Sequence, residues 1–263
     1  MCSPEQAPRV CARAAGGRRD RRVSGGPEAE RCRSCPLAGP GGTFSFLLRP
    51  EHAGLVARYS RLRSYRPGEI IVAQGEAVEG WHVLRAGTAR LFMSDDEGRE
   101  QTVRFAQPGD LIGGCGGPVL GYPHASCYSA AALGNPTEVC FFPARSLARV
   151  FEECPTLAEA FLGLMVNHLS DTYRRLAALR TTRARDRLVD ALLRLADASS
   201  PTLGAPEVTL KLARQQLADV LGVTKETAVR ALAALKRRGL LETKGQTIVI
   251  RDREALRSLR RGR

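Results

Sequence analysis

Residues 212–232, LARQQLADVLGVTKETAVRAL, read as two short amphipathic helices joined by a glycine turn. Leu212, Leu217, Val220 and Leu221 give the first helix its apolar side, and Gly222 breaks it. Thr224 supplies an N-cap hydroxyl for the second helix, whose Lys225, Glu226, Thr227 and Arg230 share one polar face. That is the layout of a helix-turn-helix whose second helix enters the DNA major groove. The chemistry suits base reading, since Arg and Lys bond guanine O6/N7 and Glu accepts from cytosine N4. The alternative for so short a pattern is a helical hairpin with a solvated charged face, and the surrounding chain argues against it.

Charge is the first such argument. From Arg174 to Arg263 there are 21 Lys and Arg against 9 Asp and Glu, a net of +12. Residues 1–35 carry 8 against 4, or +4, and residues 36–173 carry 11 against 14, or −3. The basic excess thus gathers around the helix-turn-helix, as a phosphate-binding surface requires. No run approaches the roughly 20 apolar residues that cross a bilayer. The N-terminus has no apolar signal core, being interrupted by Arg9, Arg13, Arg18, Arg19, Arg21 and Arg22. A cytoplasmic protein without a membrane partner is expected, with its eight cysteines as thiols or metal ligands and not structural disulfides.

Upstream, residues 1–43 form an Arg-, Gly- and Pro-rich, cysteine-containing extension without periodicity, the first 31 of them expected to be disordered. Residues 44–150 begin with a short helical lead-in over 44–60. They continue as short strands (69–72, 81–84, 89–92, 102–105) punctuated by Pro67-Gly68, Gln74-Gly75-Glu76, Arg85-Ala86-Gly87, Asp95–Gly98 and Pro108-Gly109. Such spacing predicts an antiparallel β-roll, a cupin-like jelly roll. Residues 151–182 hold one long helix, from about Thr156 to Leu179. Its stripe of Leu157, Phe161, Leu164, His168 or Leu169, Leu176 and Leu179 suits a homodimer seam. Residues 183–263 carry the helix-turn-helix, followed by a β-hairpin wing at Gly245–Ile250. The class is α+β.

This order of parts resembles the CRP/FNR superfamily of bacterial transcription regulators. The carrying motifs are YRPGEIIVAQGE (65–76), WHVLRAGTARLF (81–92), FAQPGDLIGG (105–114), RQQLADVLGVTKETAVRAL (214–232) and LKRRGLLET (235–243). The resemblance implies a homodimer on a palindromic double-stranded DNA site that contacts RNA polymerase. It places Arg214 and Gln215 on the DNA backbone, and Lys225, Glu226 and Arg230 on base edges. Ala213 stands where the family usually has threonine, and Val229 where Gly or Ser is common.

The resemblance also suggests what the sensor holds. Family members that bind cyclic AMP use a glutamate for the ribose and an Arg-Ser pair for the cyclic phosphate. Here Gly114 and Ala125 fall at the glutamate and arginine positions, and only Ser126 matches. A phosphodiester would lack its charge-assisted partner, so a cyclic nucleotide is not expected. Cysteine is the better lead. Cys32-Arg33-Ser34-Cys35-Pro36 and Val139-Cys140-Phe141-Phe142-Pro143 match the oxygen-sensing branch, similar to the fumarate-nitrate regulator, which holds a [4Fe–4S] cluster on four cysteines. That branch has a third N-terminal cysteine soon after the pair, and this chain has none in 37–43. Three arrangements stay open. Cys11, or else Cys2, folds back to complete the set with Cys32, Cys35 and Cys140; a non-cysteine ligand or bound thiol serves; or the cluster is absent and a thiol-redox or ligand-independent regulator remains.

Cys115, Cys127 and Cys154 read as small buried hydrophobes. His82 reads as strand packing and not a haem ligand, and His168 as a partly buried interface histidine. Two other classes of function fit the sequence less well. A cupin-type metalloenzyme needs clustered His and Glu ligands that His82 and His124 do not supply. A non-specific chromosome-binding protein would rest on basic charge alone.

Overall fold

The computed structural model describes Cys35 and residues 53–113, 125–133, 136–199 and 207–261. A short helix, α1 (Ala53–Tyr59), leads into eight strands: β1 (Arg61–Tyr65), β2 (Ile70–Val72), β3 (Gly80–Ala86), β4 (Ala89–Ser94), β5 (Glu100–Ala106), β6 (Leu111–Ile112), β7 (Ser129–Ala132) and β8 (Thr137–Pro143). They form two antiparallel four-stranded sheets, ordered β1-β8-β3-β6 and β2-β7-β4-β5. The turns between strands are built where glycine alone is comfortable. At Gly87, φ is 84° and an added Cβ would lie 2.5 Å from the Pro136 carbonyl oxygen.

Strand alternation sorts residues onto two faces. Leu84, Val139 and Ile112 from one sheet meet Ile71, Leu91, Ala106 and Ala130 from the other, forming the dry interior of the roll. On the outer face of β3 and β8, Trp81, Val83 and Phe142 are covered by Val56 and Ala57 of α1 and by Leu147 of α2 (Ala144–Glu153), with Cys35 in the same cluster.

A 27-residue helix, α3 (Pro155–Thr181), follows, with proline at its first turn, where no amide donor is needed. The C-terminal part comprises α4 (Ala184–Ser199), β9 (Val208–Lys211), α5 (Arg214–Leu221), α6 (Lys225–Arg237), β10 (Leu241–Lys244), β11 (Thr247–Ile250) and α7 (Arg253–Arg261). Its core gathers Leu188 and Leu192 of α4, Leu217 and Leu221 of α5, Leu232 and Leu235 of α6, and Ile248 and Ile250 of β11. Phe105 of β5 belongs to this second core, so the roll and the C-terminal part share packing. The expected hairpin wing is present and gains a third strand, in the order β10-β11-β9. Helices α2, α4 and α7 are elements that the sequence reading did not mark. No described helix is long and apolar enough to cross a membrane.

Candidate DNA-recognition surface and sensor face

Gly222 ends α5 in the left-handed conformation (φ 61°, ψ 43°), and its N–H donates to the Asp219 carbonyl at 3.0 Å. The Thr224 hydroxyl then caps α6, accepting from the Thr227 N–H at 3.3 Å. Ala228, Leu232 and Leu235 are buried, which turns Lys225, Glu226, Val229 and Arg230 outward. Arg230 Nη2 donates to the Thr227 hydroxyl at 3.1 Å, holding the guanidinium along the exposed face. The Glu226 carboxyl sits below the ordinary range, through its own backbone N–H, the Thr224 hydroxyl and the charges of Lys225 and Arg230. An ionised acceptor beside two cations is the pattern that reads cytosine N4 and guanine O6/N7.

Arg214 and Gln215, the two residues expected on the DNA backbone, both make contacts within the chain. Arg214 is half-buried and donates from Nη2 to the Gly245 carbonyl at 2.8 Å, so it ties α5 to the wing turn; burial pushes its guanidinium below the ordinary value. Gln215 is exposed, but its amide donates to Asp219 Oδ1 at 2.7 Å. The other Asp219 oxygen accepts from the Thr102 N–H of β5 at 3.1 Å. At the N-cap of α5, Ala213 has no side chain to offer, and Gln216 supplies half of a capping box by accepting the Ala213 N–H at 3.1 Å. Val229, 42% exposed, places an apolar side chain on the same outward face of α6, and only its departure from the family pattern pointed to it.

On α3 two of the residues expected at the seam are covered within the chain itself. Leu157 is fully buried in the chain's own core, and Phe161 stacks on Trp81 with ring centroids 3.9 Å apart. The side chain of Leu164 lies outside the described residues. The exposed apolar stripe is Leu162, Val166, Leu169, Tyr173 and Leu176, each more than half exposed, at alternating spacings of four and three. Leu169 and Leu176 were expected there. The others lie one helical step round, because a 27-residue helix between a β-roll and solvent carries two apolar faces. His168 is exposed and faces Arg104 and Arg175; burial of part of its ring, and then the Arg104 charge, push it below its ordinary value.

At the sensor, Cys35 and Cys140 come to the same outer sheet face. Cys140 lies opposite Val83 in the β3–β8 ladder and packs against the cluster that contains Cys35. Arg85 is ion-paired with Glu138 two residues from Cys140, and bonds Cys35 as well. Burial alone would lower Arg85, but Cys35 and Glu138 outweigh it and hold the guanidinium above its ordinary value. Cys11 and Cys32 lie outside the described residues, among which no group of three or more metal-type ligands occurs. Two thiols on one sheet face, with a cation beside one, suit half of a cluster ligand set. Cys127 is exposed and Cys154 half-buried, with Sγ 3.2 Å from the Thr156 hydroxyl, so neither is the buried hydrophobe expected. His82 packs as expected, 6% exposed and beside the Phe141 ring. Ser126, the one match to a cyclic-phosphate cradle, donates its hydroxyl to the Tyr128 carbonyl at 2.7 Å, and Ala125 beside it has no donor to offer.

Two family models match the chain: a cyclic nucleotide-binding domain over residues 62–154 and a Crp-like helix-turn-helix domain over residues 186–259. The chain is 28% identical to the transcriptional activator protein FnrA of Stutzerimonas stutzeri over 232 residues, covering 88% of this chain and 93% of the relative. It is 25% identical to the fumarate and nitrate reduction regulatory protein of Salmonella typhimurium over 240 residues, covering 91% and 94%. Among solved structures it is similar to FixK2 from Bradyrhizobium japonicum, with TM-score 0.60 and 27% identity over 76% of this chain and 96% of that one. The described β-roll, long helix and winged helix-turn-helix agree with these likenesses, and they are regulators and not enzymes. The chain belongs to the CRP/FNR family of DNA-binding transcription regulators.

Proposed function

We propose that this regulator acts in the cytoplasm as a homodimer that reads a two-fold symmetric DNA site and is gated by a redox or oxygen signal received on the Cys35–Cys140 face. The observation that carries the reading is the pairing of two exposed surfaces: the polar face of α6 and the apolar stripe of α3. One copy offers a single α6, and a second copy covering Leu162, Val166, Leu169, Tyr173 and Leu176 supplies the other half-site reader. Lys225, Glu226 and Arg230 read bases, Thr224 and Thr227 hold the helix start, and Arg214 and Gln215 fix α5 against the wing and β5. Once seated, the regulator contacts RNA polymerase, as its family resemblance implies.

For the gate, Cys35 and Cys140 would be two ligands of a [4Fe–4S] cluster, with Cys32 and Cys11 completing the four that such a cluster requires. When bound, the cluster supplies an oxygen-labile iron–sulfur group. Arg85, held by Glu138, places positive charge beside the Cys35 sulfur. The names of the relatives, FnrA and fumarate and nitrate reduction regulatory protein, favour this reading over cyclic nucleotide. The experiment is purification without oxygen, followed by visible absorption and DNA affinity before and after air. A brown, iron-containing protein whose DNA affinity falls in air, with both properties lost in Cys35→Ser and Cys140→Ser, is expected. A colourless, iron-free protein with unchanged affinity would sink the gate and leave the DNA reader standing.

A further inference from the structure

Among the described strands, β5 lies at the edge of its sheet, beside β4. An edge strand keeps a row of amide groups that no neighbouring strand takes up. Thr102 of β5 is nonetheless 1% exposed, because α5 packs on this strand. The ladder is interrupted here: Leu91 faces Arg104 and Phe92 faces Thr102, so Val103 is one extra residue in β5. Such a bulge bends an edge and re-aims the groups beside it. Next to it the Thr102 N–H donates to Asp219 Oδ2 at 3.1 Å, and Asp219 Oδ1 accepts from the Gln215 amide at 2.7 Å.

Apolar contact closes the seam around this bond. Phe105, three residues along β5, is buried in the core of the C-terminal part, and Leu133, just past β7, packs against the same core. The first helix of the helix-turn-helix is thus seated on the edge of the sensor sheet. Seating matters to a two-fold reader more than to a single reading helix. Adding one base pair between half-sites turns one against the other by about 35° and shifts it by about 3.4 Å. A helix-turn-helix docked firmly on its roll cannot follow that change. One held only at the end of α3 swings to meet it.

We infer that Asp219, through the Thr102 N–H, is a positioning residue that sets the half-site spacing this regulator accepts. The inference rests on the homodimeric DNA reading above and needs no cluster. Asp219 touches no base in that reading and acts through the seat of α5. A hydrogen bond to a charged group is worth roughly 10- to 150-fold in an equilibrium constant, so its loss lets undocked orientations populate. Those orientations bring α6 to half-sites that the docked form cannot reach.

The test measures the affinity of full-length protein, purified without oxygen, for duplexes that carry the footprinted half-sites. Their spacing is either the native one or longer and shorter by one and two base pairs. The wild type should prefer the native spacing by about tenfold or more, and Asp219→Ala should bind it more weakly and flatten the preference to about threefold or less. Asp219→Asn should restore the preference. Its carboxamide oxygen accepts from the Thr102 N–H, and its nitrogen donates to a Gln215 amide turned over. A substitution that only weakened the fold would lower binding at every spacing alike. An Asp219→Ala protein that behaves so, with its preference intact, overturns the inference. A wild type without a preferred spacing overturns the two-fold reading itself, and this inference with it.

Discussion

Arg187 donates from Nε to the carbonyl of Leu221 at 2.8 Å, and so holds the end of α5 to the end of α3. Its Nη1 faces the carbonyls of Ala178 and Leu179, at 3.3 and 3.2 Å, and that of Thr182. These carbonyls close the C-terminus of α3, where a cation is favoured by the helix dipole. Leu179 also lies against the turn, with its Cδ2 2.8 Å from where a Cβ on Gly222 would stand. One arginine and one leucine thus connect the end of α3 to the turn of the helix-turn-helix.

Replacing Arg187 by glutamine removes the charge that gathers these carbonyls. Hydrogen bonds to charged groups contribute about 1.5–3 kcal/mol, and a loss of that order is expected by chemical denaturation. DNA affinity should fall as well, because α5 loses its tether. A variant with lower stability but wild-type affinity and gating would show that Arg187 is a local staple only.

The two faces of α3 answer differently to substitution. Leu157→Ala should cost about 2–5 kcal/mol, since its side chain is fully buried. Val166→Asp and Leu169→Asp alter side chains more than half exposed in the single chain, and should leave its fold intact while shifting sedimentation from dimer to monomer. A monomeric Leu157→Ala that remains well folded, beside a dimeric Val166→Asp, would reverse the assignment.

The helix-turn-helix was legible because its determinants are local. Gly222 and Thr224 act on residues within four positions, and the buried Leu217, Leu221, Ala228 and Leu232 recur at helical spacing. The roll was legible for the same reason, through glycine turns and alternation. The phase of the exposed α3 stripe was not, because Phe161 and Leu162 are both apolar and only the packing of Trp81 and Phe151 against Phe161 decides which is covered. The contact of Asp219 with Thr102 spans 117 residues, and neither residue type signals it. Cys35 was marked by its motif, whereas its partner Arg85 belonged to a turn and carried no sign of the role.

His168 gives stability a pH dependence. Its folded pKa lies below the ordinary value of 6.5, so the unfolded chain binds its proton more readily. Stability from this group is complete above about pH 6.5 and declines as pH falls below that value, toward the lower folded pKa. The charges facing it are Arg104, Arg175, Asp110 and Asp171. His168→Gln should flatten the fall in denaturation midpoint between about pH 6.5 and 5. An unchanged slope would remove His168 as its source.

Footprinting of purified, oxygen-free protein at moderate salt tests the central claim most directly. Two protected half-sites about 10–10.5 base pairs apart, or a multiple of that, related by a two-fold axis, are predicted. Glu226→Gln and Arg230→Ala should each weaken binding by about 1–3 kcal/mol and relax the sequence at one position of each half-site. Uniform coverage that fades with salt and is indifferent to both substitutions would contradict the account.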